Sequence, residues 1–301
     1  MTVKRSISYT AFNIRTHPHS TENYISLINR VFELKYQVNL RGDTYAIMTQ
    51  IANITDNPED GVFGEIGKYT KIKDSSKWLN LDKLRAAEEH ETKKINIPHE
   101  LRPNFINFNF VFYPKNHFLI IECKDTTGSI SPKTLEIYFR TVFSLDEINN
   151  EFKTIEFTLV PQTDFIDSIF EIKTLKTLEL TIRRPNTDGL DDLEDEVFER
   201  LNKQNIGQEF IQLRAQKGSS IEPDRKTRSL ANVALLNGEV KATGNDAEGK
   251  RVIKSTKQHP LIEIGHYTPG NTTARDFLLV MADRIISKIK SITKLNNDLN
   301  A

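Results

Sequence analysis

Two apolar runs separated by a turn signal dominate the middle of the chain. Residues 105–113 and 117–123 are rich in Phe, Ile, Leu and Val, and the turn formers Pro114, Lys115 and Asn116 lie between them. Short apolar runs around such a turn are typical of a buried β-hairpin. We therefore predict a central hairpin over residues 104–125.

The segments before this hairpin predict a β-α-β-β unit. Residues 6–15 alternate between apolar and polar positions as a strand does. Ser20 can cap the helix that follows, whose apolar stripe is formed by Ile25, Ile28, Val31 and Phe32. Residues 38–40 and 44–54 then predict two strands joined by a tight turn.

The segments after the hairpin predict helices that alternate with strands. Ser131 and Pro132 mark a helix start, with serine as the cap and proline at the first helical position. Strands are predicted at residues 154–160 and 177–183, with a short helix between them. This order predicts a mixed sheet with right-handed crossover helices.

The last third of the chain predicts a basic ribbon between two helices. After an acidic helix at residues 188–199 come a helix at 224–237, a strand pair at 238–245 and 251–255, and a terminal helix at 272–294. Residues 261–267 are predicted as the third strand of the ribbon. The fold class is α+β, and the predicted domains are 1–100, 101–205 and 206–301.

Composition favours a globular protein in a reducing compartment. The single cysteine, Cys123, excludes an internal disulfide and a multi-cysteine zinc site. No apolar run approaches the roughly 18 residues that a membrane helix needs, and the polar start does not resemble a signal peptide. We therefore expect a cytoplasmic protein.

Charge is balanced overall but segregated along the chain. The sequence has 41 basic and 41 acidic residues, yet residues 200–301 contain 17 basic and only 10 acidic ones. Such asymmetry can mark a face that binds a polyanion. A normally solvated surface is the alternative interpretation.

The end of the hairpin contains half of a metal-dependent nuclease motif. In nucleases of the PD-(D/E)xK type, a first-strand Asp and a second-strand Glu hold Mg²⁺, and a lysine two residues further on assists the attacking water. Glu122 and Lys124 fit the second strand. The first strand lacks the acid, because its polar positions are Asn104, Asn107 and Asn109. Polar strand-end residues without a catalytic role are therefore the simpler interpretation.

Other chemical motifs are incomplete. Gly61, Gly64 and Gly67 do not have the spacing of a phosphate-binding loop. His17 and His19 could chelate a metal, but no third ligand is visible in the sequence. We therefore predict no metal and no cofactor, apart from Mg²⁺ under the nuclease alternative.

Basic residues near the ribbon are the candidates for nucleic-acid binding. Lysine and arginine on a two-stranded ribbon can follow phosphates or enter a major groove, and those at the start of the preceding helix can add to them. The candidate residues are Arg225, Lys226, Arg228, Lys241, Lys250, Arg251, Lys254 and Lys257.

Several phrases of the sequence resemble a bacterial family that is catalogued only as a domain of unknown function. The resemblance extends over most of the chain. The phrases are THPHS at 16–20, RGD at 41–43, NFVFYPKNH at 109–117, RRPN at 183–186 and EGKRVIKSTKQHPL at 248–261.

The order of elements in the last half also resembles that of RexA, the phage-exclusion protein, and KwaB of the Kiwa defence system. Shared features are a strand into RRPN, an acidic helix, the segment FIQLRAQKG at 210–218 and a terminal helix. This resemblance implies a dimeric, DNA-binding anti-phage protein that acts with a partner, often a membrane protein. No functional residue of those proteins maps onto this chain one to one.

Three hypotheses follow for function. The first is a non-catalytic defence protein that binds DNA, forms a homodimer and acts with a second protein. The second is a Mg²⁺-dependent nuclease that uses Glu122 and Lys124. The third is a protein-interaction subunit with no nucleic-acid role, which the neutral net charge permits.

Overall fold

A computed structural model of the chain describes residues 4–73, 76–184 and 192–298. The described residues form eight α-helices and fourteen strands. In chain order these are β1 (Arg5–His17), α1 (Thr21–Leu34), β2 (Val38–Arg41), β3 (Thr44–Asn53), β4 (Val62–Thr70), β5 (Leu79–Asn80), β6 (Arg85–Ala86), α2 (Glu89–Thr92), β7 (Ile106–Tyr113), β8 (Phe118–Lys124), α3 (Pro132–Phe143), α4 (Asp146–Phe152), β9 (Thr154–Leu159), α5 (Phe165–Phe170), β10 (Thr174–Arg183), α6 (Asp192–Lys203), β11 (Gln208–Arg214), α7 (Arg225–Asn237), β12 (Gly238–Asn245), β13 (Arg251–Ser255), β14 (Glu263–Tyr267) and α8 (Ala274–Asp298).

The larger sheet has eight strands and is centred on β1. Its strand order is β14-β1-β8-β7-β4-β3-β2, and β9 also pairs with β1. Residues 8–13 of β1 pair with β8 on one side, while residues 5–9 pair with β14 and residues 12–17 with β9. The length of β1, 13 residues, lets one strand hold three neighbours.

Both faces of this sheet are covered by helices. Helices α1, α3 and α4 contribute to one apolar core, to which β1 adds Phe12 and Ile14. Helix α8 contributes to the core on the other face, to which β1 adds Tyr9 and Ala11. Because successive strand residues point to opposite faces, the alternation of β1 supplies both cores at once.

The smaller sheet has four strands in the order β11-β10-β12-β13. Its inner face, which includes Leu178, Leu180 and Val240, packs in one core with residues of α5, α6 and α7. The residues that alternate with these on β10, β11 and β12 are half-buried or exposed. We call this second side the open face. By register it comprises residues 177, 179, 181 and 183 of β10, 208, 210, 212 and 214 of β11, 239, 241, 243 and 245 of β12, and 251, 253 and 255 of β13.

The α+β class and the central hairpin are confirmed, since β7 and β8 pair with Phe110 opposite Ile121. The pairings between the named strands are antiparallel, where a mixed sheet was expected. Apolar periodicity carries no information about strand direction, which the connections and the tertiary contacts decide.

The position of β14 also differs from the prediction. We expected residues 261–267 to extend the ribbon, but β14 pairs with β1, with Tyr9 opposite Glu263. The ribbon itself forms as expected from β12 and β13, and β10 continues it on the other side of β12. The two strands of the predicted ribbon are thus half of the four-stranded smaller sheet.

A long excursion connects two neighbouring strands of the larger sheet. Residues 71–105 leave β4 and return to β7, forming β5, β6 and α2 on the way. Its base is closed by the backbone of Thr70, whose amide donates to the carbonyl of Pro103. Many of its large apolar side chains are exposed: Leu79, Leu81, Leu84, Ile95, Ile97, Leu101 and Phe105.

The three-domain division stays a prediction. Strand pairing crosses the predicted boundary at residue 100, because β7 pairs with β4 and β8 pairs with β1. Of the predicted acidic helix, residues 188–191 lie outside the described residues, and α6 begins at Asp192. Within the described chain, no helix is long and apolar enough to cross a membrane.

Candidate functional site

Glu122 is a buried carboxyl that β7 and β8 hold together. Its exposed fraction is 4%. One carboxyl oxygen, Oε2, accepts hydrogen bonds of 2.9 Å from both the backbone amide and the side-chain Nδ2 of Asn109. Its other oxygen, Oε1, is buried and has no hydrogen-bond partner among the described residues. Burial raises the pKa of Glu122 to about 7, although the bonds from Asn109 oppose this shift.

Two other carboxylates, Asp125 and Glu65, add to the effect of burial on Glu122. Glu65 on β4 lies opposite Asn109 and adds a repulsion that raises the pKa of Glu122 further. Lys124 is exposed at the end of β8. Within the described residues, no group of three or more His, Cys, Asp or Glu side chains is arranged to hold a metal ion.

The basic residues of α7 lie on the helix-covered side of the smaller sheet. Arg225, Lys226 and Arg228 are exposed in the first turn of α7, where Asp224 caps the helix. Arg228 donates from Nε to the carbonyl of Pro223 at 3.1 Å, and its guanidinium lies 4.6 Å from the ring centre of Phe170.

The basic residues of the ribbon are divided between the two sides of the same sheet. Lys241 and Arg251 belong to the open face, and Lys241 forms an ion pair of 3.4 Å with Glu179. Lys254 is on the inner side, opposite Ala242, and its Nζ donates to the carbonyl of Ser168 at 2.6 Å.

The remaining two ribbon candidates lie outside the strands. Lys250 is exposed beside the turn that joins β12 and β13. Lys257 follows β13 and is paired with Glu239 on β12. The structure therefore brings Lys241 and Arg251 onto one surface and places Lys254, with the α7 residues, on the other side.

The open face also presents residues that the sequence did not single out. Phe210 is 57% exposed and Ile253 is 52% exposed, so each edge strand presents a large apolar side chain on this face. Arg214, exposed on β11, is held by a hydrogen bond from its Nε to Gln212. Basic and exposed apolar groups thus lie together on both edge strands, and the two central strands present Glu179, Glu239, Lys241 and Arg183 between them.

A buried polar centre joins the two sheets. Arg15 on β1 is 1% exposed, and its Nη1 donates to Asn237 Oδ1 at 2.7 Å and to the carbonyl of Arg184 at 3.2 Å. Its Nη2 donates to Thr158 on β9 at 3.1 Å. The amide of Asn237 in turn donates to Glu194 at the start of α6. One guanidinium therefore connects β1 and β9 with the ends of β10 and α7.

His17 and His19, the two histidines of the segment THPHS, flank this centre. His17 is half-buried, and burial lowers its pKa to about 4, with added repulsion from Arg184 and Arg15. His19 contacts Tyr24 through its Nδ1 at 2.9 Å and packs edge-on against His117. The two histidines thus belong to packed polar contacts on either side of the end of β1.

Comparison with protein families assigns the chain. The family model described as Domain of unknown function (DUF4747) matches residues 5–283. The chain belongs to this family. No curated protein matches the sequence. The resemblance to RexA and KwaB stays a prediction.

The match spans every site described above in this DUF4747 protein, from β1 into α8. The sequence singled out Glu122, Lys124 and the ribbon cations as candidates, but it did not single out Glu65, Phe210, Arg214 or Arg15. A charged residue inside a strand pattern, as at Arg15 and Glu65, was the only local signal for two of them. Their partners lie on distant elements and have no local signature.

Proposed function

We propose that this DUF4747 protein binds DNA through the open face of the smaller sheet. The observation that supports this proposal is the combination of exposed Phe210 and Ile253 with Arg214 and Arg251 on opposite edge strands of one face. Arginines on the edge strands can contact phosphates, and the exposed apolar side chains on the same strands can contact sugars and bases.

The two sides of the sheet do not contribute equally to this proposal. Arg225, Lys226 and Arg228 lie on the helix side, so a DNA segment lying on the open face does not reach them. Lys241 contributes less than Arg214 or Arg251, because Glu179 neutralises part of its charge. We therefore assign the principal phosphate contacts to the two edge arginines.

Charge reversal on the open face tests the proposal. The double variant Arg214→Glu and Arg251→Glu should weaken binding of a short DNA duplex at least about tenfold at low salt. The slope of log affinity against log salt should fall by roughly one for each lost phosphate contact. Fluorescence anisotropy over a series of salt concentrations measures both quantities.

Lys226→Glu is the matched control, because it makes the same kind of charge change on the helix side. Lys226 lines a cavity together with Arg200 and Glu209 and lies away from the open face. Affinity that drops equally in this control and in the double variant would reject the open face as the binding surface. Absence of retained DNA with the wild-type protein at low salt would reject DNA binding itself.

The nuclease hypothesis is a second candidate because Glu65 lies near the buried Glu122. Under this hypothesis Glu122 and Glu65 would hold Mg²⁺, and Lys124, at the exposed end of β8, would assist the attacking water. Plasmid cleavage that needs Mg²⁺ and is lost in Glu122→Gln supports an enzyme. Equal cleavage by the variant and the wild-type protein would show that Glu122 takes no part in the reaction.

The biological setting is proposed from the resemblance to RexA and KwaB. We propose an anti-phage protein of the cytoplasm that forms a homodimer and acts with a second, membrane-bound protein. Plating efficiency of phages on cells with and without the gene tests protection. Light scattering after size exclusion tests the dimer, and a monomer at all concentrations would contradict it.

A further inference from the structure

The excursion of residues 71–105 encloses a cavity that none of the hypotheses above uses. Its volume is about 530 Å³, within the roughly 300–1,000 Å³ of small-molecule sites. It lies between Ile72, Lys73 and Trp78 on one side and residues 89–103 on the other. The only tryptophan of the chain, Trp78, is in its wall.

The lining combines an aromatic ring with an excess of positive charge. Lys73, Lys93 and Arg102 line the cavity together with His99, and among the described residues Glu89 is the only acid in the lining. The apolar part of the wall includes Ile95 and Ile97, which are 40% and 39% exposed. A flat apolar group can therefore be covered here while a negative group meets the cations.

Arg102 is the cation with the most fixed position. Its Nη1 donates to the carbonyls of His99 and Leu101, both at 2.7 Å, and the residue is half-buried. These bonds hold the guanidinium against the cavity wall, so little side-chain entropy is lost when it binds an oxyanion.

The two lysines can exchange their present partners for a ligand. Lys93 pairs with Glu89 at 2.9 Å, and Lys73 pairs with Asp43 at 2.8 Å. Both lysine side chains are more than half exposed, at 71% and 52%. Exposed ion pairs of this kind contribute little free energy, so a doubly charged phosphate competes with them effectively.

We propose that this cavity binds a nucleoside phosphate, with the base against Trp78 and the phosphate against Arg102 and the two lysines. Aromatic rings stack on nucleobases in a manner that tolerates any sequence, and guanidinium binds phosphate through paired donors. The same unit occurs as a free nucleotide and at the end of a nucleic-acid strand. The site is separate from the open face.

Tryptophan fluorescence reads out this site directly, because Trp78 is the only indole in the chain. Titration with AMP or ATP, with excitation at the red edge of indole absorption, should give saturable quenching. Adenosine without phosphate should bind at least about tenfold more weakly, as expected for lost charge-assisted hydrogen bonds. A second titration uses a 5′-phosphorylated oligonucleotide in place of the mononucleotide.

Arg102→Ala should weaken the nucleotide at least about tenfold. Arg85→Ala is the matched control on the same excursion, because Arg85 pairs with Glu88 and does not line the cavity. Thermal unfolding of both variants verifies that they are folded. Lys93→Ala repeats the binding test at an exposed lysine of the cavity, where the substitution removes no buried contact.

Each outcome of these titrations either supports the proposed nucleotide site or rejects it. Saturable quenching by mononucleotides supports free nucleotide as the ligand, and saturable quenching by the oligonucleotide alone supports a strand end. No saturable change with either probe would overturn the proposal, as would equal affinity for adenosine and AMP. Unchanged affinity in both Arg102→Ala and Lys93→Ala would also overturn it.

Discussion

At the residue scale, Glu122 shows how one buried polar group can control stability. Two hydrogen bonds from Asn109 satisfy Oε2, but Oε1 is buried and no residue that the structure describes donates a hydrogen bond to it. Desolvation outweighs the two bonds, so the pKa is raised to about 7. The folded protein therefore holds the proton at a pH where the unfolded chain has released it.

Glu122→Gln should remove this pH dependence. The folded pKa is higher than the usual value of 4.5, so the wild-type protein loses stability as pH rises from about 4.5 through about 7. Above that range the variant should be more stable by at most about 3 kcal/mol, and near pH 4 the two should be similar. Urea unfolding at several pH values measures the difference.

Glu248→Gln, in the exposed turn after β12, is the control and should leave the pH dependence of stability as it is. A wild-type stability that stays constant between about pH 5 and about pH 8 would contradict the prediction for Glu122. A Gln variant that is less stable than wild type at high pH would contradict it as well.

At the element scale, the pairing of β10 with β12 depends on a close backbone approach. A Cβ at Gly244 would lie 2.3 Å from the carbonyl oxygen of Thr174 and 2.5 Å from a methyl carbon of Ile172. Backbone atoms cannot retreat without breaking the strand register, which sets Gly244 opposite Leu175 and Val252. The open face therefore depends on a glycine at this position.

Gly244→Ala should lower the free energy of unfolding by about 2 kcal/mol, because the added methyl forces the two strands apart. Gly207→Ala is the matched control, since within the described parts of the chain no atom lies within 4 Å of the position its Cβ would take. Urea unfolding of the wild-type protein and the two variants measures the differences in the free energy of unfolding. Equal stabilities of the two variants would show that the strands move apart without cost.

At the scale of the whole molecule, β1 and Arg15 connect parts that are far apart in sequence. β1 pairs with β8, β9 and β14, so residues from all three predicted domains meet on one strand. Arg15 then joins the larger sheet to Asn237 at the end of α7. Such contacts predict that the segments stabilise one another.

A fragment of residues 101–205, the predicted middle domain, should show no cooperative unfolding transition when expressed alone. It lacks β1 and β4, the neighbours of its own hairpin, and therefore exposes both edges and the apolar faces of β7 and β8. Urea unfolding followed by circular dichroism measures this, with the full chain as the control. A sharp transition in the fragment would establish the middle domain as independent.

The sequence by itself determined the local elements. The alternation of strands, the caps at Ser20 and Ser131, and the turn between β7 and β8 were all predictable, since each depends on neighbours a few residues away.

Only the tertiary structure decided which elements meet. It placed β14 beside β1, set Lys241 and Lys254 on opposite sides of one sheet, brought Glu65 near Glu122 and formed the cavity around Trp78. A period of two residues shows that neighbouring side chains point to opposite faces. It does not show which strands pair, and contacts across the fold alone determine that choice.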